Sequence, residues 1–570
     1  MKVYFTKIAA LPLVLQLFFF THGKAQNESI LVPQNGYFTA LKKLAVVRIP
    51  ADSFYVTGAE NRVYYRGKLG APELWPFSNE KVQRADLSSL TIPGEYYINL
   101  AGTTDKRKFQ VLHDPYGALA NAAVKAFYFN RCSYPILPEF GGKFERKAGH
   151  PDTEVYIHGS AVSPGRPVGT VIASRGGWYD AGDYNKYIVN SGITTYTMFL
   201  AFESYPDFWK TRNLNIPESK NNLPDILDEA LYNLRWMLTM QDTDGGVYHK
   251  CTTLQFEGFI MPEDAHDKRY VVQKNTAATL DFAATMAHAS TLLSDYGKVL
   301  PGLADSCRKA ALAAWVWSKE NPSVLYHQPS DIGTGAYGDN DIRDEWFWAG
   351  VEMALISESA FPDSLLRQLE FKTPAWGNVA TLGLITVLQH AGKVQSETYV
   401  ACQKIYFDYV NHLVDLGNKA AYPVSIDFFA WGSNSDVANQ GLLKMIAYSL
   451  QSDPEYLFSA INDMNYITGV NPTGYCFVTG FGDKSPMKIH HRPSASDNIT
   501  EPVPGFLAGG PNTVTFADCP DVNRNKLPAL SYTDDECSYS TNEIAINWNA
   551  PLVFLAGALS SMTTDKKDVK

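Results

Sequence analysis

Two aspartates three positions apart, Asp180 and Asp183, offer the first candidate chemistry in this sequence. They lie in residues 176–187, a segment rich in glycine and aromatic residues, with Trp178 and Tyr184 on either side of the pair. Carboxylates at this spacing can point to one place, and the neighbouring glycines let a ligand approach the backbone closely. The pair could therefore hold and deprotonate a water molecule. The same aspartates could instead cap the helix predicted to follow, because Asp is a favoured N-cap residue.

A second candidate acid, Glu543, stands next to Asn542, just before an apolar segment predicted to be helical. Desolvation raises the pKa of a Glu among apolar and aromatic groups, which is the condition for a general acid near neutral pH. An acid in the first turn of a helix is also favoured by the helix dipole, which would lower the pKa instead. Both interpretations stay open on these residues alone.

His490 and Arg492 form a third candidate group, inside a long segment of residues 475–542 that is rich in Pro and Gly. Loops longer than about 12–15 residues in a compact protein usually carry function. The two side chains could donate hydrogen bonds to substrate hydroxyls, or they could tie the loop to the rest of the protein. The GxSxG, P-loop and HExxH motifs do not occur in the sequence, which excludes serine esterases of that type, nucleotide-dependent enzymes and zincins.

The first element that must position these residues is β-rich. Short β-branched and aromatic runs between residues 30 and 112, separated by turn residues such as Pro50 and Gly58, predict a small β-sandwich. The predicted strands are residues 44–49, 53–56, 62–66, 95–98 and 108–112.

From residue 117 onward the apolar residues recur at helical spacing, and Ile226, Ala230 and Leu234 illustrate the pattern on one face of a predicted helix. About a dozen helices are predicted, with long polar and aromatic loops between them. The candidate functional residues therefore lie mostly on loops of a helical domain. The predicted helices are residues 117–129, 191–204, 224–240, 275–295, 303–318, 344–358, 376–391, 397–416, 436–451, 455–468 and 550–561.

Composition limits the class of partner. The net charge is −10, from 49 basic and 59 acidic residues, and no long basic run occurs, which excludes a nucleic acid as partner. Aromatic residues make up 13% of the chain, and flat aromatic faces beside polar groups suit sugar rings. The seven cysteines contain no CxxC pair, so no disulfide framework is predicted, and their odd number leaves at least one thiol unpaired.

Residues 1–25 have the features of a secretory signal peptide. Lys2 and Lys7 supply the positive start, an apolar run of 13 residues follows, and small residues around Ala25 form a cleavage site. The apolar run is too short to span a bilayer, and no later segment is long and apolar enough to do so. The sequence therefore predicts an exported protein, periplasmic or extracellular, with no membrane span.

Taken together, these segments resemble glycoside hydrolase family 9, the family of inverting cellulases, in the subgroup with an N-terminal immunoglobulin-like domain. The resemblance covers nearly the whole mature chain and implies a mainly α fold, an (α/α)6 barrel preceded by a small all-β immunoglobulin-like sandwich. The implied domains are a signal peptide at 1–25, the sandwich at 26–113 and the catalytic barrel at 114–570. The matching motifs are residues 35–37, 86–96, 177–184, 222–229, 245–250, 490–492, 532–543 and 548–550.

The resemblance also implies a role for each candidate residue. Asp183 would be the general base that activates water, with Asp180 helping to hold that water, and Glu543 would be the general acid. Inversion needs space for the water, so the carboxyl groups of Asp183 and Glu543 are expected roughly 6.5–9.5 Å apart, whereas about 5 Å would indicate retention. The other implied site residues are His490 and Arg492 on the sugar, Asp534 among the supporting acids, and Trp178, Tyr184 and Trp548 in contact with substrate.

Zinc is not expected. Related members build a zinc site from two Cys and two His after the first barrel helix, and Cys132 and His150 match this pattern. Gly149, however, stands where the second Cys should be. Zn²⁺ prefers four tight ligands, so the loss of a thiolate should cost much of the affinity. The chemistry itself requires no cofactor.

Calcium stays open. Asp344 and Glu345, in residues 340–345, resemble a calcium loop of the family, and such oxygen-rich segments suit Ca²⁺. Asn378 stands where an Asp should complete the cage. The same acids could instead form a solvated helix start.

The resemblance and the residues together predict an exported, inverting hydrolase of β-1,4-glucans such as cellulose, xyloglucan or mixed-linkage glucan, acting within the chain. One alternative is an exo-acting glycosidase on oligosaccharides, for example those that contain glucosamine, which a blocked groove would favour. Another is a glycan-binding protein without catalytic activity. Intact Asp180, Asp183 and Glu543 argue against it, since binding requires no paired acid and base.

Overall fold

The computed structural model describes residues 28–515 and 518–563. The predicted signal peptide, residues 1–25, lies outside the described residues. Strands occupy most of residues 30–112, and helices dominate from Gly117 onward. None of the helices in the described ranges combines the length and the apolar character needed to cross a bilayer.

The N-terminal strands form two sheets that face each other as a β-sandwich. Its strands are β1 (Ile30–Leu31), β2 (Tyr37–Phe38), β3 (Leu44–Val47), β4 (Ser53–Thr57), β5 (Val63–Lys68), β6 (Glu73–Trp75), β7 (Glu80–Asp86), β8 (Gly94–Leu100) and β9 (Lys106–Leu112). One sheet has the order β1-β3-β7-β6 and the other the order β2-β9-β8-β4-β5. Apolar side chains from both sheets share one buried cluster.

Strand alternation explains this packing. In β4, Phe54 and Val56 are buried while Tyr55 between them is half-buried, as expected when successive side chains point to opposite faces. All five predicted strands are present. The predictions missed β1, β2 and β6, which have two or three residues, and β7, in which charged residues stand between Val82, buried against the barrel, and Ala85, buried in the sandwich core.

The helical part is an (α/α)6 barrel. Six central helices each pack against one outer partner, in the pairs α3 with α5, α6 with α7, α8 with α9, α10 with α11, α12 with α13 and α16 with α1. All the predicted helices are present. The helices are α1 (Gly117–Phe129), α2 (Pro138–Gly141), α3 (Ile188–Ser204), α4 (Pro206–Lys210), α5 (Asp225–Thr239), α6 (Thr276–Leu292), α7 (Leu303–Glu320), α8 (Arg343–Ile356), α9 (Asp363–Leu366), α10 (Ala380–Gln389), α11 (Ser396–Lys419), α12 (Ser433–Gln451), α13 (Pro454–Ile467), α14 (Arg492–Ser496), α15 (Tyr539–Asn542) and α16 (Ile546–Ser561).

Composition separates the inner helices from the outer ones. The inner helix α6 is rich in Ala, Thr and Leu and buries 16 of its 17 residues, whereas its outer partner α7 buries only six of 18. A helix that is apolar on all sides must be surrounded by protein, and an amphipathic one covers it. Polar side chains on inner helices, such as Asp281 of α6, are therefore exceptions that need an explanation.

A small mixed sheet lies beside the segment that carries the two aspartates. Its strands are β10 (Val155–Ile157), β11 (Val171–Ile172), β12 (Lys186–Tyr187), β13 (Lys250–Thr252) and β14 (Arg269–Val271), in the order β11-β10-β14-β13-β12. Strand β12 begins three residues after Asp183 and pairs with β13 in antiparallel register. This pairing fixes the chain immediately after the aspartates.

The sandwich and the barrel share part of their apolar core. Trp75 of the sandwich packs against two aromatic residues of the barrel domain, with ring centroids 4.6 Å from Tyr422 and 6.2 Å from Phe429. The guanidinium of Arg84 donates a hydrogen bond to the backbone carbonyl of Ala420 nearby. The two domains are thus joined by packing as well as by the short connection between β9 and α1.

Candidate active site

A groove of about 850 Å³ brings together Asp183, His490, Arg492 and Glu543 from distant parts of the chain. The four side chains come from irregular segments, not from the interiors of long helices. Three of the motifs that the sequence singled out therefore share one cavity. The aromatic side chains that line it are Tyr187, Phe256, Tyr337, Trp376, Trp431, Tyr539 and Trp548.

Gly182 is the point where these segments meet. A Cβ atom at this position would lie 2.2 Å from the backbone oxygen of His490, so only glycine fits there. The Gly182 N–H donates to Oε1 of Glu543 at 3.3 Å. Its carbonyl accepts from the backbone N–H of Arg492 at 3.1 Å and from Nη1 of the same residue at 2.7 Å. One glycine thus places Asp183 next to both other segments.

The Asp183 carboxylate is only 6% exposed and accepts hydrogen bonds through one oxygen. Oδ2 accepts from the side-chain amide of Asn185 and from the Tyr187 hydroxyl at 3.1 Å. Donors to a carboxylate favour its ionised form. Among the described residues, none donates to Oδ1, which leaves this oxygen available for a water molecule.

Asp180 is fully buried and is held by three donor contacts. The side-chain amide of Asn190 reaches Oδ1 at 2.8 Å and Oδ2 at 2.9 Å, and the Tyr337 hydroxyl donates to Oδ2 at 2.9 Å. Burial and the negative charge of Asp183 raise the pKa of Asp180 to about 8. Two acids so close do not ionise together easily, so the charge of Asp183 favours the protonated form of Asp180.

Glu543 is the candidate proton donor of the groove. Burial, followed by the charge of Asp183, raises the pKa of Glu543 well above its ordinary value, although Arg492 opposes the shift. The residue precedes α16, and the backbone N–H groups of the following helix do not reach its carboxylate. The backbone of Glu543 pairs with that of His490 in a parallel bridge. A raised pKa keeps a proton on Glu543 near neutral pH, as a general acid requires.

The His490 ring is oriented by the backbone carbonyl of Glu536, to which Nδ1 donates at 2.6 Å. A carbonyl only accepts, so Nδ1 carries a proton and Nε2 is left for a ligand. Burial lowers the pKa of His490, which favours the neutral ring. Phe259 packs edge-on against the ring, with centroids 5.2 Å apart.

Arg492 is positioned by two carbonyl groups. Besides its contact with Gly182, Nε donates to the backbone oxygen of Glu257 at 2.8 Å. Phe256 and Phe259 lie under the guanidinium at 5.5 Å each. Among the described residues Nη2 has no acceptor, so this nitrogen can donate to a ligand in the groove.

Asp534 connects the two segments that carry His490 and Glu543 without lining the groove. Its carboxylate accepts from the backbone N–H of Met487 at 3.0 Å, from that of Lys488 at 2.9 Å, and from the side chain of Asn542 at 3.1 Å. These contacts make Asp534 a supporting acid, at a distance from the reacting groups.

Two of the predicted substrate contacts are wrong. Trp178 is fully buried, and its indole N–H donates to Glu229 at 2.8 Å, inside the barrel core. Tyr184 is 2% exposed, and its hydroxyl donates to the carbonyl of Ile260 at 2.5 Å, so it supports a loop and does not line the groove. The backbone turn points both side chains away from the groove. Trp548, the third predicted aromatic contact, does line it.

Sequence reasoning missed Asn190 and Tyr337, the two residues that hold Asp180. The backbone of Tyr337 has φ +47°, a conformation that residues other than glycine adopt rarely. Backbone strain of this kind clusters at functional sites. Its hydroxyl is 157 positions away from Asp180 in sequence. The only available signal was an aromatic residue between glycines, which is not specific enough to identify it.

The residues at the position where related members bind zinc do not fit a zinc ion. Both ring nitrogens of His150 are occupied, Nδ1 by the Tyr179 hydroxyl at 2.8 Å and Nε2 by Glu257 at 3.1 Å. The Cys132 thiol lies 3.5 Å from an oxygen of Asp152, and burial raises the pKa of this thiol.

The remaining space is closed as well. A Cβ atom on Gly149 would meet the Pro262 carbonyl at 2.4 Å, so a cysteine cannot occupy this position without movement of the backbone. The ammonium group of Lys186 lies 2.7 Å from Asp152 and supplies a positive charge in place of a metal.

A second buried cluster consists of acidic side chains, two of which lack hydrogen-bond partners, unlike the residues around His150. Asp281, Asp344 and Glu345 are at most 4% exposed, and neither carboxylate oxygen of Asp281 or Glu345 has a hydrogen-bond partner. The side-chain oxygen of Asn378 is also buried without a partner. Burial and the neighbouring acids raise the pKa of both Asp281 and Glu345. No cation of the described residues pairs with Asp281 or Glu345.

This all-oxygen donor set fits a hard cation such as Ca²⁺, which takes carboxylate and amide oxygens. The oxygens do not all lie within 4.8 Å of one another, so the side chains would have to close in on an ion. Within the described residues, three ligand atoms reach that spacing only at Cys519, Asp535 and Cys537, and the two cysteines there form a disulfide.

Comparison with known proteins agrees with this geometry. Residues 116–556 match the model of glycosyl hydrolase family 9, and residues 25–105 match the cellulase N-terminal ig-like domain. A xyloglucan-specific endo-beta-1,4-glucanase of Bacteroides ovatus is 39% identical over 560 residues, which cover 94% of each chain. Endoglucanase D of Acetivibrio thermocellus is 33% identical over 92% of this chain and 79% of its own length.

Solved structures give the same result for the fold. The structure titled Bacteroides ovatus GH9 superposes with a TM-score of 0.88 over 94% of this chain and 100% of its own, at 39% identity. AaCel9A in complex with cellobiose-like isofagomine gives 0.85 over 94% and 100%, at 28% identity. The chain therefore belongs to glycosyl hydrolase family 9.

Proposed function

We propose that this protein hydrolyses β-1,4-glucosidic bonds within glucan chains, with inversion of the anomeric carbon. The observation that carries the proposal is one groove that contains an acid with a raised pKa, Glu543, and a second acid, Asp183, whose donors favour the ionised form. Glycosidic cleavage requires one protonated and one ionised carboxyl group. The endoglucanases among the relatives support the same reaction.

In the proposed reaction, Glu543 donates its proton to the glycosidic oxygen as the bond to the anomeric carbon breaks. Asp183 accepts a proton from a water molecule through its free oxygen, and that water forms the new bond to the anomeric carbon from the other face. Asp180, fixed by Asn190 and Tyr337, holds the water from the second side. Each turnover leaves a proton on Asp183 and takes one from Glu543, and both groups return to their first state by exchange with solvent.

Aromatic side chains support action within a chain. Phe256 is 47% exposed and Trp431 is 44% exposed, and both line the groove. Exposed aromatic faces can stack on sugar rings beyond the one being cleaved. The complex of AaCel9A with cellobiose-like isofagomine supports glucose units as ligands. The relative from Bacteroides ovatus, named as specific for xyloglucan, makes xyloglucan the first polymer to test.

One assay tests this function. Purified mature protein is incubated with xyloglucan, mixed-linkage glucan, carboxymethyl cellulose and chitosan, with product size and anomer followed by NMR. We expect α-anomers as the first products of a β-glucan, with intermediate chain lengths appearing early. First products in the β-anomeric form would contradict inversion, and release of only short products from the start would favour exo action. A folded protein that cleaves none of the polymers would support a binding function.

We also propose that the protein is exported. The predicted signal peptide at residues 1–25 supports this location. The disulfide between Cys519 and Cys537 is consistent with it, because disulfides persist in oxidising compartments. Five other cysteines of the described chain are free and buried.

We further propose that Asp281, Asp344, Glu345 and Asn378 hold a structural Ca²⁺ ion, whose two positive charges would offset most of the charge of the three buried acids. A ligand that binds only the folded state stabilises it in proportion to RT ln(1 + [L]/Kd). We therefore expect millimolar Ca²⁺ to raise the Tm by roughly 2–5 °C over the EGTA-treated protein, as measured by differential scanning fluorimetry.

Replacing Asp281 by Asn should abolish most of this calcium response. The matched control is Asp415→Asn, since Asp415 is exposed on α11 and pairs with Lys419 at 3.8 Å; this variant should respond like the original chain. The same Tm with EGTA and with Ca²⁺ in the original chain would contradict the proposal.

A further inference from the structure

Asp436 is an acid in the groove that the proposed reaction does not use. It lies in the first turn of α12 and lines the same cavity as the catalytic candidates, close to Trp431, Ser435 and Trp548. Among the described residues, none donates a hydrogen bond to its carboxylate and none forms an ion pair with it. An acid with no protein partner in a ligand groove is available for a ligand.

The start of α12 fixes the direction of this side chain. Gly432 has φ +87°, and a Cβ atom there would lie 2.7 Å from the indole nitrogen of Trp548, so the helix begins against that ring only because the residue is glycine. The Ser433 hydroxyl donates to the Pro511 carbonyl at 2.7 Å, and the Asn434 N–H donates to the Gly509 carbonyl at 3.0 Å. The first turn that carries Asp436 is therefore anchored to the loop behind it.

The electrostatic surroundings of Asp436 contain no compensating charge. Burial alone raises its pKa to about 7. Tyr409 of α11 is close enough for the charge of Asp436 to add to the burial that raises the pKa of Tyr409, and its hydroxyl accepts from the Thr373 backbone N–H at 2.8 Å. Poorly solvated carboxylates gain most from new hydrogen-bond donors, because the ionised form is then stabilised. The hydroxyl groups of a sugar are donors of this kind.

Trp431 supplies the complementary surface. It lies five residues before Asp436, at the edge of the same helix start, and its indole is tilted 36° to the Tyr539 ring with centroids 5.5 Å apart. An exposed aromatic face beside a carboxylate complements a pyranose ring. The aromatic face packs on the apolar C–H face of the sugar, and the carboxylate accepts from its equatorial hydroxyls.

We propose that Asp436 is a specificity-determining residue whose carboxylate accepts hydrogen bonds from two hydroxyls of a neutral glucan unit stacked on Trp431. This inference rests on the proposed glucanase function. Asp436 takes no part in bond cleavage, so it acts on the affinity for the chain and on the position at which the chain is cut.

The test compares Asp436→Leu and Asp436→Asn with the control Ser449→Ala, an exposed position of the same helix outside the groove, using reduced and end-labelled cello-oligosaccharides of increasing length. Hydrogen bonds to charged groups are among the stronger ones, so we expect KM to rise about tenfold in Asp436→Leu for the longer substrates, with kcat within twofold. Asp436→Asn, which keeps one acceptor oxygen, should fall between this variant and the original chain. Cleavage frequencies along the labelled chain should shift in both.

The outcomes separate the inference from the proposed function. If the original chain cleaves no β-1,4-glucan, the proposed function fails. If it does, but the isosteric Asp436→Asn and the Leu variant leave both KM and the cleavage pattern unchanged, only the role of Asp436 is refuted. Stronger inhibition of the original chain by chitosan oligosaccharides than by cello-oligosaccharides, lost in Asp436→Asn, would also refute it, since the carboxylate would then recognise an ammonium group.

Discussion

Replacing Glu543 by Gln should lower kcat on a β-1,4-glucan by roughly 10³-fold, the effect typical of losing a general acid. The amide keeps the shape of the side chain and can still accept from the Gly182 N–H, so folding should be unchanged. It has no proton to give to the departing oxygen at any pH near neutral. Initial rates on soluble glucan, with circular dichroism as the control for folding, measure the effect.

The leaving group provides a sharper control for this variant. In an aryl β-cellobioside with a good leaving group, the weakly basic phenolate departs without being protonated. Glu543→Gln should therefore lose much less activity on that substrate than on glucan. In the original chain the rate on glucan should fall as the pH rises through the raised pKa of Glu543, because the acid then loses its proton. An equal loss on both substrates would show that Glu543 is not the acid.

Replacing Asp183 by Asn should cost a similar factor, roughly 10³-fold in kcat, but on both substrates alike. The reason is that the attack of water needs a base whatever the leaving group is. The amide can still accept from the Tyr187 hydroxyl, so the local structure has a reason to persist. Initial rates on glucan and on the aryl cellobioside measure the loss.

Azide provides the independent check for Asp183, because this anion attacks without giving up a proton. Added azide should restore part of the activity of Asp183→Asn on the aryl cellobioside and yield the α-glycosyl azide, which NMR distinguishes from the β form. A β-azide, or an Asp183→Asn variant with unchanged activity on glucan, would refute the assignment of Asp183 as base.

Much of the site could be predicted because its chemistry lies in compact motifs. Asp183 and Glu543 stand in segments with several distinctive residues each, and the groove contains both. The helices were equally accessible, since an amphipathic helix such as α7 shows its apolar period and an inner helix such as α6 is rich in Ala, a strong helix former.

The failures have a common physical cause, which is the direction of a side chain in an irregular segment. Trp178 and Tyr184 flank the aspartates in sequence, yet the turn sends them into the core and against a loop. Tertiary packing brings Tyr337, Asp281 and Asp436 to their sites, and nothing in the local sequence distinguishes them. Residues that are close in sequence lie in the same part of the fold, but their side chains can point in different directions.

The contact of Trp75 with Phe429 affects how this enzyme can be dissected. Phe429 stands two residues before Trp431, so an aromatic ring of the N-terminal sandwich supports the backbone that presents a wall of the groove. A catalytic fragment without the sandwich would expose the apolar surface around Phe429 to solvent. A chimera with another sandwich domain would lack the contact between Trp75 and Phe429. Truncation between the sandwich and the barrel is therefore expected to disturb the groove.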